Sequence, residues 1–194
     1  MTNKVLIAIP TVDGWIHAKL VQSLIPMLPG NLFCLISGMV PVEKARNAIA
    51  KTFLETDCTH LFQIDADTIP PLDALVKLLA LDTDMATAIT PIVNREELTS
   101  NLFMGSGKDG DAMPWEEAIN KKEPFEIKGV GMACILIKRE VFEKVGTPFY
   151  TDAWFKDGSY CEGDINFCGK AIDAGFKLVV DPTIICGHYK EVMM

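Results

Sequence analysis

Short apolar runs recur along this chain at intervals that leave room for one helix between them. They fall at 5–9, 32–36, 61–64, 85–89, 133–137 and 177–180. Their length and near-continuous apolar character predict buried strands of a mainly parallel sheet. Between the runs the period changes. Ala45, Ala48, Ile49, Thr52 and Phe53 follow i, i+3, i+4, i+7, i+8, and Leu72, Leu75, Val76 and Leu79 obey the same rule. That spacing predicts two amphipathic helices packed on the sheet. A third helix is predicted over 164–174, stopped by Gly175 and feeding the strand from Phe176 to Val180.

The stretch 94–128 breaks the pattern, being polar and rich in Gly, Asp and Glu, with Trp115 and Phe125 as isolated aromatics. It predicts a long excursion over one face, of the kind that covers or shapes a site. No internal repeat, low-complexity tract or linker divides the chain, so one α/β domain over 1–194 is expected.

Composition narrows the class. With 194 residues, 49% hydrophobic and 23% charged, the chain has the balance of an ordinary soluble globular domain. A net charge of −8 argues against a surface built to neutralise nucleic-acid phosphates. The N-terminal apolar run is too short for a secretory signal, and no stretch is long enough to span a bilayer, so a cytoplasmic protein is expected. Cys34, Cys58, Cys134, Cys161, Cys168 and Cys186 include no C-x-x-C pair and mostly sit in apolar runs, which predicts reduced, packed thiols.

The run His60 to Ile64 ends abruptly in Asp65-Ala66-Asp67. In extended backbone, residues two apart point the same way, so two carboxylates can converge on one cation just past the strand's C-terminal end. Ligands bind at that edge of open α/β sheets. The same pair also suits a turn, since Thr68-Ile69-Pro70-Pro71 ends the strand. His17 and His60 lack spaced partners and are expected to be structural.

The order of features resembles the nucleotide-sugar glycosyltransferases of the GT-A fold, in particular the small family 2-like enzymes. The resemblance covers most of the chain. It is carried by Ile9-Pro10-Thr11 after the first strand, Ala45-Arg46-Asn47 on a helix, Asp65-Ala66-Asp67, the run Gly129 to Cys134, the helix from Asp164 to Cys168, and Cys186-Gly187-His188. It implies a GT-A domain, Rossmann-like, with a mainly parallel central sheet flanked by helices. Its implied activity is metal-dependent transfer of a sugar from a UDP- or GDP-sugar to the hydroxyl of a glycan or small-molecule acceptor.

The resemblance also implies roles. Pro10, Thr11, Asp13, Arg46 and Asn47 would hold the nucleotide, with Arg46 pairing a phosphate. Asp65 would face the ribose or the metal shell, Asp67 would ligate the cation, and His188 would complete the site. Oxygen ligands with an added imidazole favour Mn²⁺ over Mg²⁺. Ala66, Gly131 and Met132 would lie along the donor, the glycine admitting close backbone approach. Trp154 and Asp152 would stack on or orient the acceptor.

For the base, the family places a Glu-Asp pair at a helix start, whereas this chain has Glu162-Gly163-Asp164. Asp164 takes the base position, with Glu162, displaced by one, as the substitute. Asp is also well suited to an N-cap. The chain is short for this fold, so the acceptor is expected to be small, or a partner subunit such as a second copy supplies a wall. Two alternatives remain: a sugar-phosphate nucleotidyltransferase, whose Gly-rich basic signature Ile9 to Gly14 lacks, and a non-catalytic sugar-nucleotide or glycan-binding module.

Overall fold

A computed structural model describes residues 3–94, 97–105, 112–154, 156 and 158–189. In chain order the strands are β1 (Val5–Thr11), β2 (Leu32–Ser37), β3 (His60–Ile64), β4 (Thr68–Ile69), β5 (Met85–Ile89), β6 (Pro91–Asn94), β7 (Glu97–Phe103), β8 (Ala112–Pro114), β9 (Phe125–Glu126), β10 (Gly129–Val130), β11 (Cys134–Lys138), β12 (Ala153–Trp154), β13 (Tyr160–Cys161), β14 (Leu178–Ile185) and β15 (Gly187–His188). The helices are α1 (Ala18–Leu24), α2 (Val42–Leu54), α3 (Ala74–Ala80), α4 (Trp115–Asn120), α5 (Arg139–Val145) and α6 (Gly163–Asp173).

Seven strands form the central sheet in the order β2-β1-β3-β11-β5-β14-β9. β1 pairs in parallel with β2 and β3, and β14 with β5, while β11 runs antiparallel to both β3 and β5 and β9 antiparallel to β14. Five strands therefore share one direction, as the apolar runs predict. Alternate residues of β1 serve opposite faces. Val5, Ile7 and Ile9 join a core with Leu20 and Leu24 of α1 and Leu75 and Leu78 of α3. Leu6 and Ala8 join the other, with Ile49 and Phe53 of α2, Phe142 of α5 and Phe167 of α6. The sheet is thus covered on both sides.

The excursion is not the loop expected from its polarity. Among its described residues, β7 pairs antiparallel with β6, β8 and β10, and α4 packs beside them; residues 106–111 lie outside the described ones. Its buried positions mix apolar residues, Leu102, Met113, Ala118 and Ile127, with polar ones that are paired. Ser100 Oγ donates to the Met113 carbonyl at 2.8 Å, and Asn101 Oδ1 accepts from the Thr90 N–H at 2.8 Å. A strand buried through hydrogen-bonded Ser and Asn carries no alternating hydrophobic signal.

β1 lies between β2 and β3, so the chain leaves it in one direction and returns on its other side. This is a topological switch point, where a crevice opens beyond the strands' C-terminal ends. α2 borders the crevice, and its far end is fixed by Arg139, whose guanidinium donates to the carbonyls of Cys58, Thr56 and Phe53 at 2.9, 2.7 and 3.1 Å.

Candidate active site

The crevice is a cavity of about 1020 Å³, lined by the C-terminal end of β1 and its following turn, the first turns of α2, the Asp65-Ala66-Asp67 turn and Tyr189. It is large enough for a nucleotide with a sugar attached. Pro10, Thr11, Asp13, Arg46, Asp65, Ala66 and Asp67 all face it. The turn after β1 is built by its own side chains: Asp13 Oδ1 accepts from the Trp15 N–H at 3.0 Å, and the Thr11 hydroxyl donates to the Trp15 carbonyl at 3.0 Å. Gly14 sits at φ +85°, as this turn requires. The turn lifts Trp15 onto the rim, 79% exposed.

Asp67 and His188 meet through strand pairing. β15 lies antiparallel to β4 with His188 opposite Thr68, and the Tyr189 N–H donates to the Asp67 carbonyl at 2.8 Å. His188 Nδ1 is 2.7 Å from the Pro91 carbonyl, which can only accept, so this nitrogen carries the proton. Nε2 then faces Asp67 Oδ2 at 3.2 Å. Two donors about 2.1 Å from one cation and at right angles stand about 3 Å apart, so the pair suits two adjacent ligands of Mn²⁺ or Mg²⁺. The carbonyl behind the imidazole fixes its tautomer, as it does for many metal-binding histidines. Among the described residues no group of three or more His, Cys, Asp or Glu could hold a metal.

Asp65 lines the cavity and is ion-paired behind it: Arg46 Nη2 contacts both its oxygens, at 3.0 and 3.2 Å. Desolvation pushes its carboxyl up to about 6, against the pull of Arg46. The same Nη2 stands 3.3 Å from Asp164 Oδ2, which also accepts from the Met132 N–H at 3.2 Å. Burial raises the Asp164 pKa, Arg46 and the Met132 N–H oppose that, and Glu43 and Asp152 add to it. Arg46 therefore joins Asp65, on the cavity, to Asp164, which is not among the cavity's lining.

Several expected contacts go elsewhere. Asn47 does not line the cavity: its Nδ2 donates to the carbonyls of Glu43 and Tyr150 at 2.8 and 2.6 Å, and its Oδ1 accepts from the N–H groups of Phe149 and Tyr150 at 2.9 and 3.2 Å. The amide is consumed in clamping α2 to the segment before β12. Met132 is buried and offers only its N–H, to Asp164. Gly131 is held by Asn101, whose carbonyl accepts its N–H at 2.9 Å. Gly129, two residues earlier, is tightly packed, since a Cβ there would come 3.1 Å from Ile165 of α6.

Asp164 lies in the first turn of α6, and Glu162 is the cap residue, exposed and without a capping side-chain bond. Asp152 supplies the cap, Oδ1 accepting from the Gly163 N–H at 2.9 Å. A further hydrogen bond from Tyr160 to Asp152 pushes that phenol up to about 12. Trp154, 75% exposed, lies 5.0 Å from the Tyr160 ring, forming an aromatic ledge beside Asp164's helix.

His60 is buried and structural, with Nδ1 2.8 Å from the Thr59 hydroxyl. His17 caps α1 through Nδ1, which accepts from the Lys19 N–H, yet it also lines the cavity with its ring 4.2 Å from Tyr189. Trp15 and Tyr189 carry no mark in the sequence pattern, and His17, expected to be structural only, lines the cavity as well. The adjacency of Trp15 to Gly14, just past the first strand, was the available signal. All six cysteines are free, five of them buried.

This architecture recurs in solved structures. The fold is GT-A-like. The chain matches A197 from STIV with a TM-score of 0.66 at 18% identity, over 97% of this chain and 86% of that one. It matches GalNAc-T7, solved with UDP, GalNAc and Mn²⁺, with a TM-score of 0.60 at 13% identity, over 98% of this chain and 44% of GalNAc-T7. No protein-family model and no curated protein matches its sequence. Among the described residues no helix is long and apolar enough to cross a membrane.

Proposed function

We propose that the protein is a metal-dependent glycosyltransferase that moves a sugar from a UDP- or GDP-sugar to a hydroxyl of a glycan or small-molecule acceptor. The observation that carries this reading is the Asp67–His188 pair, 3.2 Å apart beside a cavity of nucleotide-sugar size. Asp67 and His188 would hold Mn²⁺ or Mg²⁺, which when bound offsets charge on the departing nucleoside diphosphate. The GalNAc-T7 structure, which contains UDP and Mn²⁺, supports this choice of ligands.

The turn from Thr11 to Trp15 holds the nucleoside end, with the Trp15 ring as a stacking surface for the base. Arg46 keeps Asp65 and Asp164 in place and offsets their charge. Asp164 takes the proton from the attacking hydroxyl, its basicity set between burial and Arg46. Glu162, exposed and turned to solvent, does not have that environment. Trp154 and Tyr160 offer the acceptor an apolar ledge next to the base.

The test is a thermal-shift panel of UDP, GDP, CDP, ADP and TDP, each with and without Mn²⁺. A ligand at 100 times its Kd adds about 2.7 kcal/mol, or roughly 2–4 °C per kcal/mol for a domain of this size. A metal-requiring shift with one nucleotide supports the transferase and names its base. The absence of any shift overturns it.

A further inference from the structure

Gly163 opens α6 with too little room for a side chain. A Cβ built there would stand 2.8 Å from Glu43 Cγ, 3.3 Å from the Thr151 nitrogen and 3.5 Å from Asp152 Oδ1. Glu43, in the first turn of α2, thus lays its side chain over the start of α6, next to Asp164. Its half-buried carboxylate has no hydrogen-bond or ion-pair partner among the described residues. Arg46, one turn along α2, is 4% exposed and already shared by Asp65 and Asp164, yet its Nε is buried without a partner, as is Asp164 Oδ1. The Glu43 oxygens are not shut away with those two atoms, so this carboxylate reaches solvent beside Asp164 and is open to a donor from outside the protein.

We propose that Glu43 is the acceptor-binding carboxylate of this site, accepting a hydrogen bond from an acceptor hydroxyl adjacent to the one that Asp164 deprotonates. The inference rests on the transferase reading and adds a residue to it. In the transfer step the acceptor oxygen bonds to the anomeric carbon as that carbon's bond to the diphosphate oxygen breaks, and the hydroxyl proton passes to Asp164. Glu43 takes no proton. It fixes which hydroxyl is presented, and Gly163 is the residue that leaves it space. The groups around Asp164 are Arg46 and Glu43 from α2, Asp152 and the buried Tyr150 from the segment before β12, Cys168 one turn along α6, and the Met132 N–H, with Asp65 beyond Arg46.

The experiment compares the wild type with Glu43→Gln, Glu43→Ala, Gly163→Glu and the double variant Glu43→Ala/Gly163→Glu. The donors are UDP-glucose, UDP-GalNAc and GDP-mannose with Mn²⁺, and the acceptors are water and a panel of p-nitrophenyl glycosides. Glu43→Gln is expected to cut transfer to glycosides about 100-fold, the scale of a mispositioned reactant, and hydrolysis of the donor by water much less, so that the ratio of transfer to hydrolysis falls. The acid limb of its pH profile moves down, because a like charge beside Asp164 has been removed. Gly163→Glu alone collides with Glu43 and loses transfer, whereas the double variant, which returns a carboxylate to that spot from α6, recovers it. Loss of hydrolysis and transfer in equal measure, or unchanged transfer in Glu43→Gln, overturns the role of Glu43 and leaves the transferase reading standing. A wild type inert toward every donor overturns both.

Discussion

Arg46 Nη2 lies 3.0 Å from Asp65 Oδ1 and 3.3 Å from Asp164 Oδ2, so one nearly buried guanidinium joins the strand that ends at the cavity to the helix that carries the candidate base. Removing it would leave two shielded carboxylates with no counter-charge. Arg46→Ala is expected to destabilise the fold by about 3–5 kcal/mol, the scale of a broken buried pair, measured by urea denaturation. Arg46→Lys should recover only part of this, since a point charge on a flexible stem does not reproduce a planar fork. Equal stability of Arg46→Ala and wild type would show that the guanidinium does not hold this arrangement.

Asn47 should behave as structure rather than as a nucleotide contact. Its amide serves four backbone groups across α2 and the 149–150 segment. Asn47→Ala strands them, at a cost of about 3 kcal/mol, while nucleotide affinity of the remaining folded protein stays within about twofold. A selective loss of affinity with no loss of melting temperature would return Asn47 to the binding site.

The contrast between Arg46 and Asn47 shows what the chain discloses in one dimension. Both sit on the helix that the i, i+3, i+4 spacing reveals, though at none of its apolar positions, and both were named through the resemblance; only Arg46 lines the cavity. The clamp made by Asn47 was not legible, because its partners at 149 and 150 are a hundred residues away and are backbone groups without a side-chain signature. Asp65, Asp67 and the ends of the strands were legible for a local reason, an apolar run broken by carboxylates. The sheet formed by β6, β7, β8 and β10 was hidden because Ser100 and Asn101 bury through hydrogen bonds. The exclusion between Gly163 and Glu43 is likewise set by how α2 and α6 pack.

His188 should matter for the metal and little for the fold. With Nδ1 donating to Pro91, its Nε2 is one of two donors beside Asp67. His188→Ala is expected to weaken Mn²⁺ binding in the presence of UDP or GDP by roughly tenfold or more, the loss of one nitrogen ligand, read by electron paramagnetic resonance of free Mn²⁺. Asp67→Ala should abolish the metal-dependent part altogether, because a strand-end residue at the cavity contributes little to the core. Unchanged Mn²⁺ affinity in both variants would remove the metal from this pair.

Asp164 predicts a pH profile. Burial lifts its pKa above the usual carboxylate value of about 3.9, with Arg46 and the Met132 N–H pulling the other way and losing. A base must be deprotonated, so kcat/KM falls as pH drops through that raised value, and the acid limb lies above the ordinary carboxylate range. Asp164→Asn should lower transfer by roughly 10²–10⁴-fold, the range for a general base, and leave nucleotide shifts intact. An acid limb at or below the ordinary value would assign proton removal to another group.

Trp15 offers the most direct view of the donor. It stands 79% exposed on the cavity rim, held there by a turn that Thr11 and Asp13 tie to its own backbone, so its exposure is built into the local structure. An aromatic ring in that position gains most by covering a flat base, at about 0.5–1.5 kcal/mol beyond area burial. Trp15→Ala should therefore raise the Kd for the preferred nucleotide roughly three- to tenfold while leaving its Mn²⁺ requirement unchanged, since Asp67 lies elsewhere on the wall and His188 stands behind it. In the wild type, nucleotide should quench Trp15 fluorescence, and the quench should vanish in Trp15→Phe while binding persists. Quenching retained in Trp15→Phe would place the base against Trp154 or Trp115 instead.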